Sequence, residues 1–331
     1  MSPAVLNQFK DMTDKAIQVI VKKEAKNPVD YKKYYNFRTT TDLFEKDSSI
    51  SGLKEAEFTS ENASILEDVA IQGFDQTYEQ QQVDIMFPMS HMTWKFGFKK
   101  RQLTAIGEQL IRALNRKKEK LAAERLTNGF SPSYTHQGVG GNSTIALTGG
   151  DALEPWTTAH TREDGGTNMN NVVYDGTTYS LPFDYAGYKA ADRTASLMVD
   201  PRGNPDSAKL NMLVCKKGSS VHHKAMEILG SIKTNKISES NDNDGNAMGP
   251  FQIVDLEYLT KDAAWGMFDS SKAMSDTMGF QHIESESNNV DPVNIVTKTR
   301  EMQFSAHTIF IQGFNDVTRS WVWSEGDEAT T

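Results

Sequence analysis

Hydrophobic positions along the chain change their period several times, and each change marks an element. Val5, Leu6, Phe9, Met12, Ala16, Ile17, Ile20 and Val21 recur at helical spacing, which predicts a helix over about residues 4–25 that Pro28 ends. Tyr31, Tyr34 and Tyr35 follow among lysines, and then a polar stretch over 39–51 without a period. A segment this long and weakly patterned is uncommon inside a compact domain, so residues 1–60 read as an arm laid across another surface. Over 77–99, Val83, Ile85 and Phe87 alternate with polar neighbours, Trp94, Phe96 and Phe98 do the same, and Pro88-Met89-Ser90-His91 supplies a turn between them. This predicts a β-hairpin. A two-stranded hairpin is marginal alone in water, so it needs support from its own domain or from a neighbouring chain. Taken by itself, the pattern slightly favours an ordinary edge hairpin of one domain.

The period then becomes 3.6. Leu103, Ile106, Leu110, Leu114 and Leu121 share a face, Arg112, Arg116, Lys117, Lys118 and Lys120 lie opposite or alongside, and Asn128-Gly129 is a stop signal. The reading is a helix over 104–126, spanning about 35 Å, that backs a core and wets a basic face. Residues 131–180 are rich in glycine and read as loops. A helix follows over 184–199, an apolar strand over 211–215, and a helix over 221–229 capped by Ser219-Ser220. A polar loop covers 238–249, a strand 251–259, and Trp265 lies in the segment 263–268. Two more strands, 294–298 and 302–312, precede a tryptophan-bearing end at 319–323. This order is α+β.

Composition narrows the classes. The 331 residues suit two domains of roughly 150 residues, or one elaborate domain. No stretch reaches the about 18 apolar residues of a membrane span. The run 16–21 is broken by Gln18 and flanked by Lys15 and Lys22, which is not a secretory signal. The single cysteine, Cys215, excludes an intramolecular disulfide and fits a reducing compartment. With 35 basic and 44 acidic residues the charge is −9, which argues against a general nucleic-acid binder but not against a protein that surrounds nucleic acid without gripping it.

Candidate chemistry is sparse. Gly138-Val139-Gly140-Gly141-Asn142 lacks the spacing and the following helix of a phosphate loop and reads as a flexible turn. Asp242-Asn243-Asp244-Gly245 would place Phe251 where a calcium loop needs a bidentate acid. No two histidines have His-x-x-x-His spacing, and the adjacent His222 and His223 point apart on a helix. No metal site or cofactor is expected. Cys215 reads as a small buried hydrophobe. Glu284 and Glu286 read as surface charge. A soluble enzyme or binding protein with a site near His160 and Asp164 is kept as a competing reading.

Four segments, taken in order, resemble the major capsid proteins of tailed bacteriophages with the Hong Kong-97 fold. They are Phe96-Gly97-Phe98 leading into the long helix and its end Arg125 to Phe130; Gly150-Asp151-Ala152-Leu153 with Gly166-Thr167-Asn168; Leu197 to Pro205 followed by Asn211 to Cys215; and Ala264 to Phe268 with Phe314-Asn315-Asp316 and Trp321. The resemblance covers about residues 52–323. It implies an N-terminal arm (1–60), an extended loop (61–100), a peripheral domain (101–196 and 291–331) with the spine helix 104–126, and an axial domain (197–290). It implies a non-enzymatic shell subunit, assembled in the host cytoplasm as pentamers and hexamers around double-stranded DNA, with portal and scaffolding proteins as partners, room for a decoration protein, and no membrane. Intersubunit contacts are then expected from the hairpin (Val83, Ile85, Phe87, Trp94, Phe96) and from the arm (Phe9, Ile17, Tyr34, Tyr35). An encapsulin-type nanocompartment is the alternative on the same fold. Some members lock their shells with a Lys–Asn bond between neighbouring loops. Lys95, Lys99 and Lys100 lie near the hairpin here, but no asparagine partner or activating acid is evident, and no such crosslink is expected.

Overall fold

The computed structural model describes residues 29–50, 53, 56–61, 64–65, 67–69, 72–90, 92–93, 100–234, 250–291, 294–296, 298–299 and 301–326. A 3-10 turn at Asp30–Lys33 leads into strands β1 (Tyr35–Thr39), β2 (Phe44–Ile50), β3 (Gln72–Glu79) and β4 (Gln81–Met89). Helix α1 (Lys100–Thr127) is followed by β5 (Ser133–Gly138) and β6 (Gly141–Ala146). Next come α2 (Tyr185–Ser196), β7 (Met212–Lys216), α3 (Ser220–Thr234), β8 (Gln252–Leu256), β9 (Trp265–Phe268) and a helical turn α4 (Ser270–Ala273). Strands β10 (Phe280–Val290), β11 (Asn294–Val296), β12 (Glu301–Phe314) and β13 (Trp321–Ser324) complete the described chain.

Two sheets organise the body. In the first, the order is β1-β10-β12-β11, and β4 also pairs with β12. Helix α1 lies on this sheet, with Leu110, Ile111 and Leu114 packed against Met89, Val290, Phe304 and Ala306. Its C-terminus is fixed by the Asn128 backbone N–H and side-chain amide, which donate to the Glu124 carbonyl at 2.9 and 2.8 Å. In the second sheet the order is β13-β9-β7-β8. Here β7 and β8 run parallel, and α3 supplies the crossover that a parallel pair requires. The Ser219 hydroxyl accepts from the His222 N–H at 3.2 Å at the start of α3, and Asp184 caps α2 by accepting from Gly187 at 2.7 Å.

The second sheet is buried on both faces, which explains its unbroken apolar runs. Leu213, Cys215, Trp265, Met267 and Val322 face α2 and α3, where Ala190, Ala191 and Ala195 let α2 approach closely. The alternate positions Val214, Val254, Leu256, Phe268, Trp321 and Trp323 face the first sheet, and with Tyr34, Tyr35, Leu126, Trp156, Phe280 and Phe314 they form the core between the sheets. Trp156 stacks on Trp323 (centroids 5.1 Å, 4° between planes), Phe268 stacks on Trp321 at 4.3 Å, and Phe280 meets Trp156, Trp321 and Phe314 at 5.4–5.7 Å. The Trp156 indole N–H donates to the Leu126 carbonyl at 2.8 Å and ties the end of α1 to this core. A Cβ on Gly266 would lie 2.2 Å from the Trp323 ring, so β9 can pass only with glycine there.

The long helix, the helices after residue 184, and the strands near 211–215, 251–259 and 302–312 lie where periodicity places them. Other expectations change. Residues 35–39 are not part of an arm: β1 runs parallel to β10, and Tyr34 and Tyr35 are each 1 % exposed in the chain's own core. Strand β4 pairs with β12 from Met89↔Met302 to Gln81↔Phe310, so it is a sheet strand rather than half of a free hairpin. The loop-rich stretch holds the hairpin β5–β6, turning through Gly138-Val139-Gly140-Gly141, with Gly141 at φ +131°. The expected domain boundary at 290/291 would part β10 from β12, which are paired from Phe280↔Phe314 to Val290↔Ala306. Likewise β13 joins β9 in the second sheet, and α2 packs there too. The helix expected over 4–25, the strand expected at 94–98 and the polar loop 238–249 lie outside the described residues.

Replacing Trp156 by alanine removes the central ring of the core and its hydrogen bond, and is expected to cost about 3–5 kcal/mol in urea unfolding. A second expectation concerns His282, fully buried with its ring between Phe37 and Phe310 (5.4 and 5.3 Å). Burial, with Lys118 and Lys32 nearby, holds its pKa well below the usual 6.5. Unfolding frees a histidine that takes up a proton at its ordinary pKa, so this contribution is full above about pH 6.5 and is lost as pH falls toward the depressed folded value. Unfolding curves from about pH 8 to about pH 5 should show a shallower decline for His282→Phe than for wild type.

Candidate assembly surface

Strands β2 and β3 form a two-stranded ribbon, registered from Phe44↔Glu79 to Ile50↔Gln72 with an irregularity between Ser48 and Ile50. Its sequence shows no alternation because most of the ribbon lies off the core. Polar links hold it together instead: Lys46 (Nζ–Oδ2 2.7 Å), Ser48 and Gln72 converge on Asp75 and bring its carboxyl down to about 2.

The root of the ribbon is fastened firmly. Tyr78 is buried against Gly313 of β12, where a Cβ would lie 2.6 Å from its ring. Arg38 of β1 donates two hydrogen bonds to the buried Asp47, at 2.9 and 2.5 Å. The Glu163 carboxylate accepts from the Phe74 N–H at 2.8 Å and the Ser49 hydroxyl at 3.0 Å, and the Asn315 amide donates to the Phe74 carbonyl at 3.1 Å. Further out, Arg202 pairs with Asp68 at 3.2 Å and donates to the Val69 carbonyl at 2.5 Å. Beyond these anchors the connection between β2 and β3 carries Leu53, Phe58, Ile65 and Val69, all more than 60 % exposed. Leu43 and Phe44 are exposed at the opposite end of β2. Isolated exposed apolar residues are ordinary, but this many large ones on one segment make it the candidate assembly surface.

The expected contact residues divide. Val83 and Ile85 pack partly buried against the core beneath α1, and Phe87, 36 % exposed, lies with Met86 toward the far end of β4. Tyr34 and Tyr35 are interior, so their expected intersubunit role is withdrawn, since burial in the chain's own core removes them from any partner. Phe9, Ile17, Trp94 and Phe96 lie outside the described residues, as do Lys95 and Lys99. A two-stranded ribbon is found earlier, at 44–79, where apolar residues show almost no period.

Residues tested for catalysis are occupied structurally. The His160 Nδ1 pairs with Asp151 at 2.7 Å and its Nε2 lies 3.3 Å from the Pro155 carbonyl oxygen, so both ring nitrogens are engaged. Asp164 instead pairs with Arg162. His160 and Asp164 are not brought together. Cys215 is buried and its thiol pKa is pushed up to about 12 by burial and by Asp255, the state of an inert thiol. Glu284 is not surface charge: it is 5 % exposed and ion-paired with Lys118 of α1, because β10 runs beneath that helix. Glu286 is the more exposed of the two and reaches His307 at 3.0 Å. Among the described residues no cluster of side chains suits a metal ion, and no helix is long and apolar enough to cross a membrane.

No protein-family model and no curated relative matches the chain. Solved structures do. One described as Mycobacterium phage Cain matches at 11% identity, covering 92% of each chain with a TM-score of 0.51. The capsid structure of the Cyanophage P-SCSP1u matches at 8% identity, covering 88% of this chain and 86% of that one with a TM-score of 0.50. At such identities the likeness is one of backbone architecture. The chain has the Hong Kong-97-type capsid fold.

Proposed function

We propose that this chain is the major capsid subunit of a tailed phage, self-assembling as pentamers and hexamers into an icosahedral head around double-stranded DNA. The observation that carries the reading is the β2–β3 ribbon on this fold: a segment rooted by Arg38–Asp47, Glu163 and Arg202 that presents Leu53, Phe58, Ile65 and Val69 to solvent. Each such side chain contributes about 1.5–3 kcal/mol when fully buried. One ribbon per subunit laid over a neighbour thus supplies a repeated, head-to-tail contact. Met86 and Phe87 are further exposed apolar residues, one on each face of β4. The role is structural rather than catalytic, since the tested histidine and cysteine are held in inert settings. The net charge of −9 suits a lining that lets packed DNA stay mobile. Portal and scaffolding proteins, and on the outer face a decoration protein, are the partners such a shell takes, and the virion is its location.

Expressed full-length protein should form closed shells in negative-stain microscopy. Replacing 53–65 by a short Gly/Ser turn, which keeps Asp68 and Val69 for Arg202, should leave the thermal melt nearly unchanged but stop growth at small oligomers. A wild-type protein that stays a solitary particle, or a shortened one that still builds shells, overturns the reading. Shells that enclose only a protein cargo would favour the nanocompartment instead.

Emptied shells titrated with duplex DNA at low salt should bind little, and denaturing gels of mature particles should show no ladder of covalent multimers. Strong binding would defeat the repulsive-lining argument, and a ladder would show that chains are joined to one another.

A further inference from the structure

Strand β10 departs from regular pairing between Glu284 and Glu286, and again between Glu286 and Asn289. Irregularities of this kind re-aim side chains. Here Asn288 and Glu284 both reach Lys118 on α1. The Lys118 ammonium, 2 % exposed, donates to Glu284 Oε1 and to Asn288 Oδ1, the latter at 2.7 Å. The Asn288 amide nitrogen donates to Asn115 Oδ1 at 2.5 Å, which turns the carbonyl end of the amide toward the lysine. Ser287 donates to Glu284 Oε2 at 3.2 Å, and Thr308 lies 3.5 Å from Oε1, so the carboxylate is positioned from both sides. The Phe310 ring centroid lies 5.2 Å from Lys118 Nζ and closes the site on that side.

We propose that Lys118 and Asn288 become joined within one chain by an isopeptide bond, with Glu284 as the proton carrier. Glu284 takes a proton from the Lys118 ammonium and leaves a neutral amine. The amine lone pair attacks Asn288 Cγ, forming the C–N bond and moving the carbonyl electron pair onto Oδ1. The attacking nitrogen gives up a second proton and the departing Nδ2 gains protons through Glu284, the carbonyl reforms, and the Cγ–Nδ2 bond breaks. The products are one amide and one ammonium ion, Glu284 ends as the carboxylate it began as, and no oxidant or reductant is required. Burial supports the first step, because it lowers the lysine pKa against the opposing pull of Glu284. Proximity supports the second, since the amine and amide are already in contact. Asn288 is itself only half-buried, which leaves the ammonium a way out. The product pins α1 to β10 and leaves the new amide N–H beside the Glu284 carboxylate that Lys118 now contacts. This bond lies inside one chain and is independent of the shell reading.

Intact mass of the denatured full-length protein decides the matter. The expected result is a mass about 17 Da below that of the sequence, the loss of one ammonia. Tryptic mapping should show no cleavage after Lys118 and one branched peptide containing Lys118 and Asn288. Lys118→Met and Asn288→Ala should each restore the mass expected for their sequences. The wild-type measurement stands alone if either variant fails to fold. Full mass with ordinary cleavage after Lys118 overturns the proposal. So does an ammonia loss that maps elsewhere, such as a hydroxylamine-sensitive succinimide at Asn128-Gly129.

Discussion

The two sheets of this protein are held to each other by one aromatic core. Trp156, Phe268, Phe280, Trp321 and Trp323 come from a loop, both sheets and the last described strand, and they touch as stacked and edge-on rings. Such pairs add to plain area burial and are geometrically selective, so they fix the angle between the layers as well as their adhesion. Nearly everything else is positioned from there. The end of α1 is tied by the Trp156 indole to the Leu126 carbonyl, and β13 is tied to the preceding loop through the Val173 N–H to the Trp323 carbonyl at 2.9 Å.

Outward from this core the interactions become progressively more polar. Beneath α1, the chain buries Lys118, Glu284, His282 and Gln312 together; the Gln312 amide donates to the Lys118 carbonyl at 3.1 Å and lies 3.2 Å from His282 Nδ1. A buried polar set of this kind stabilises little by itself, but it selects one register of helix on sheet, because any other leaves charges unpaired. At the root of the ribbon, Arg38–Asp47 and Glu163 do the same for β2 and β3. Beyond the root, polar cross-strand links such as Lys46–Asp75 maintain the ribbon without a core. The gradient runs from aromatic packing, through buried polar contacts, to the exposed apolar residues Leu53, Phe58 and Ile65.

Physical period explains which elements were legible in the sequence. Helix α1 and strands β7, β8 and β12 each bury a repeating face, so their apolar residues recur at 3.6 or 2, or run unbroken where both faces are covered. In the ribbon, β2 buries the polar Asp47 and Ser49, so Phe44–Ile50 reads as an unpatterned polar stretch. Conversely, in the alternation of Val83, Ile85 and Phe87 the first two record partial burial beneath α1, Phe87 stays exposed, and the strand pairs with β12. His160 looked eligible for chemistry because sequence cannot show that Asp151 and Pro155 already occupy its ring nitrogens. Glu284 looked like surface charge because nothing local announces Lys118, 166 positions away.

The amino-acid order by itself determined the α+β class, the long helix with its stop at Asn128-Gly129, the inert setting of Cys215 and, through ordered short segments, the likeness to capsid proteins. Those features depend on neighbours within a few residues or on the plain alternation of apolar side chains. Tertiary structure alone decided where the ribbon lies, which tyrosines are interior, which sheet β10 and β13 join, and how Lys118, Glu284 and Asn288 meet. These rest on pairings between distant strands, whose energy comes from backbone hydrogen bonds and desolvation that any sequence of suitable polarity can supply.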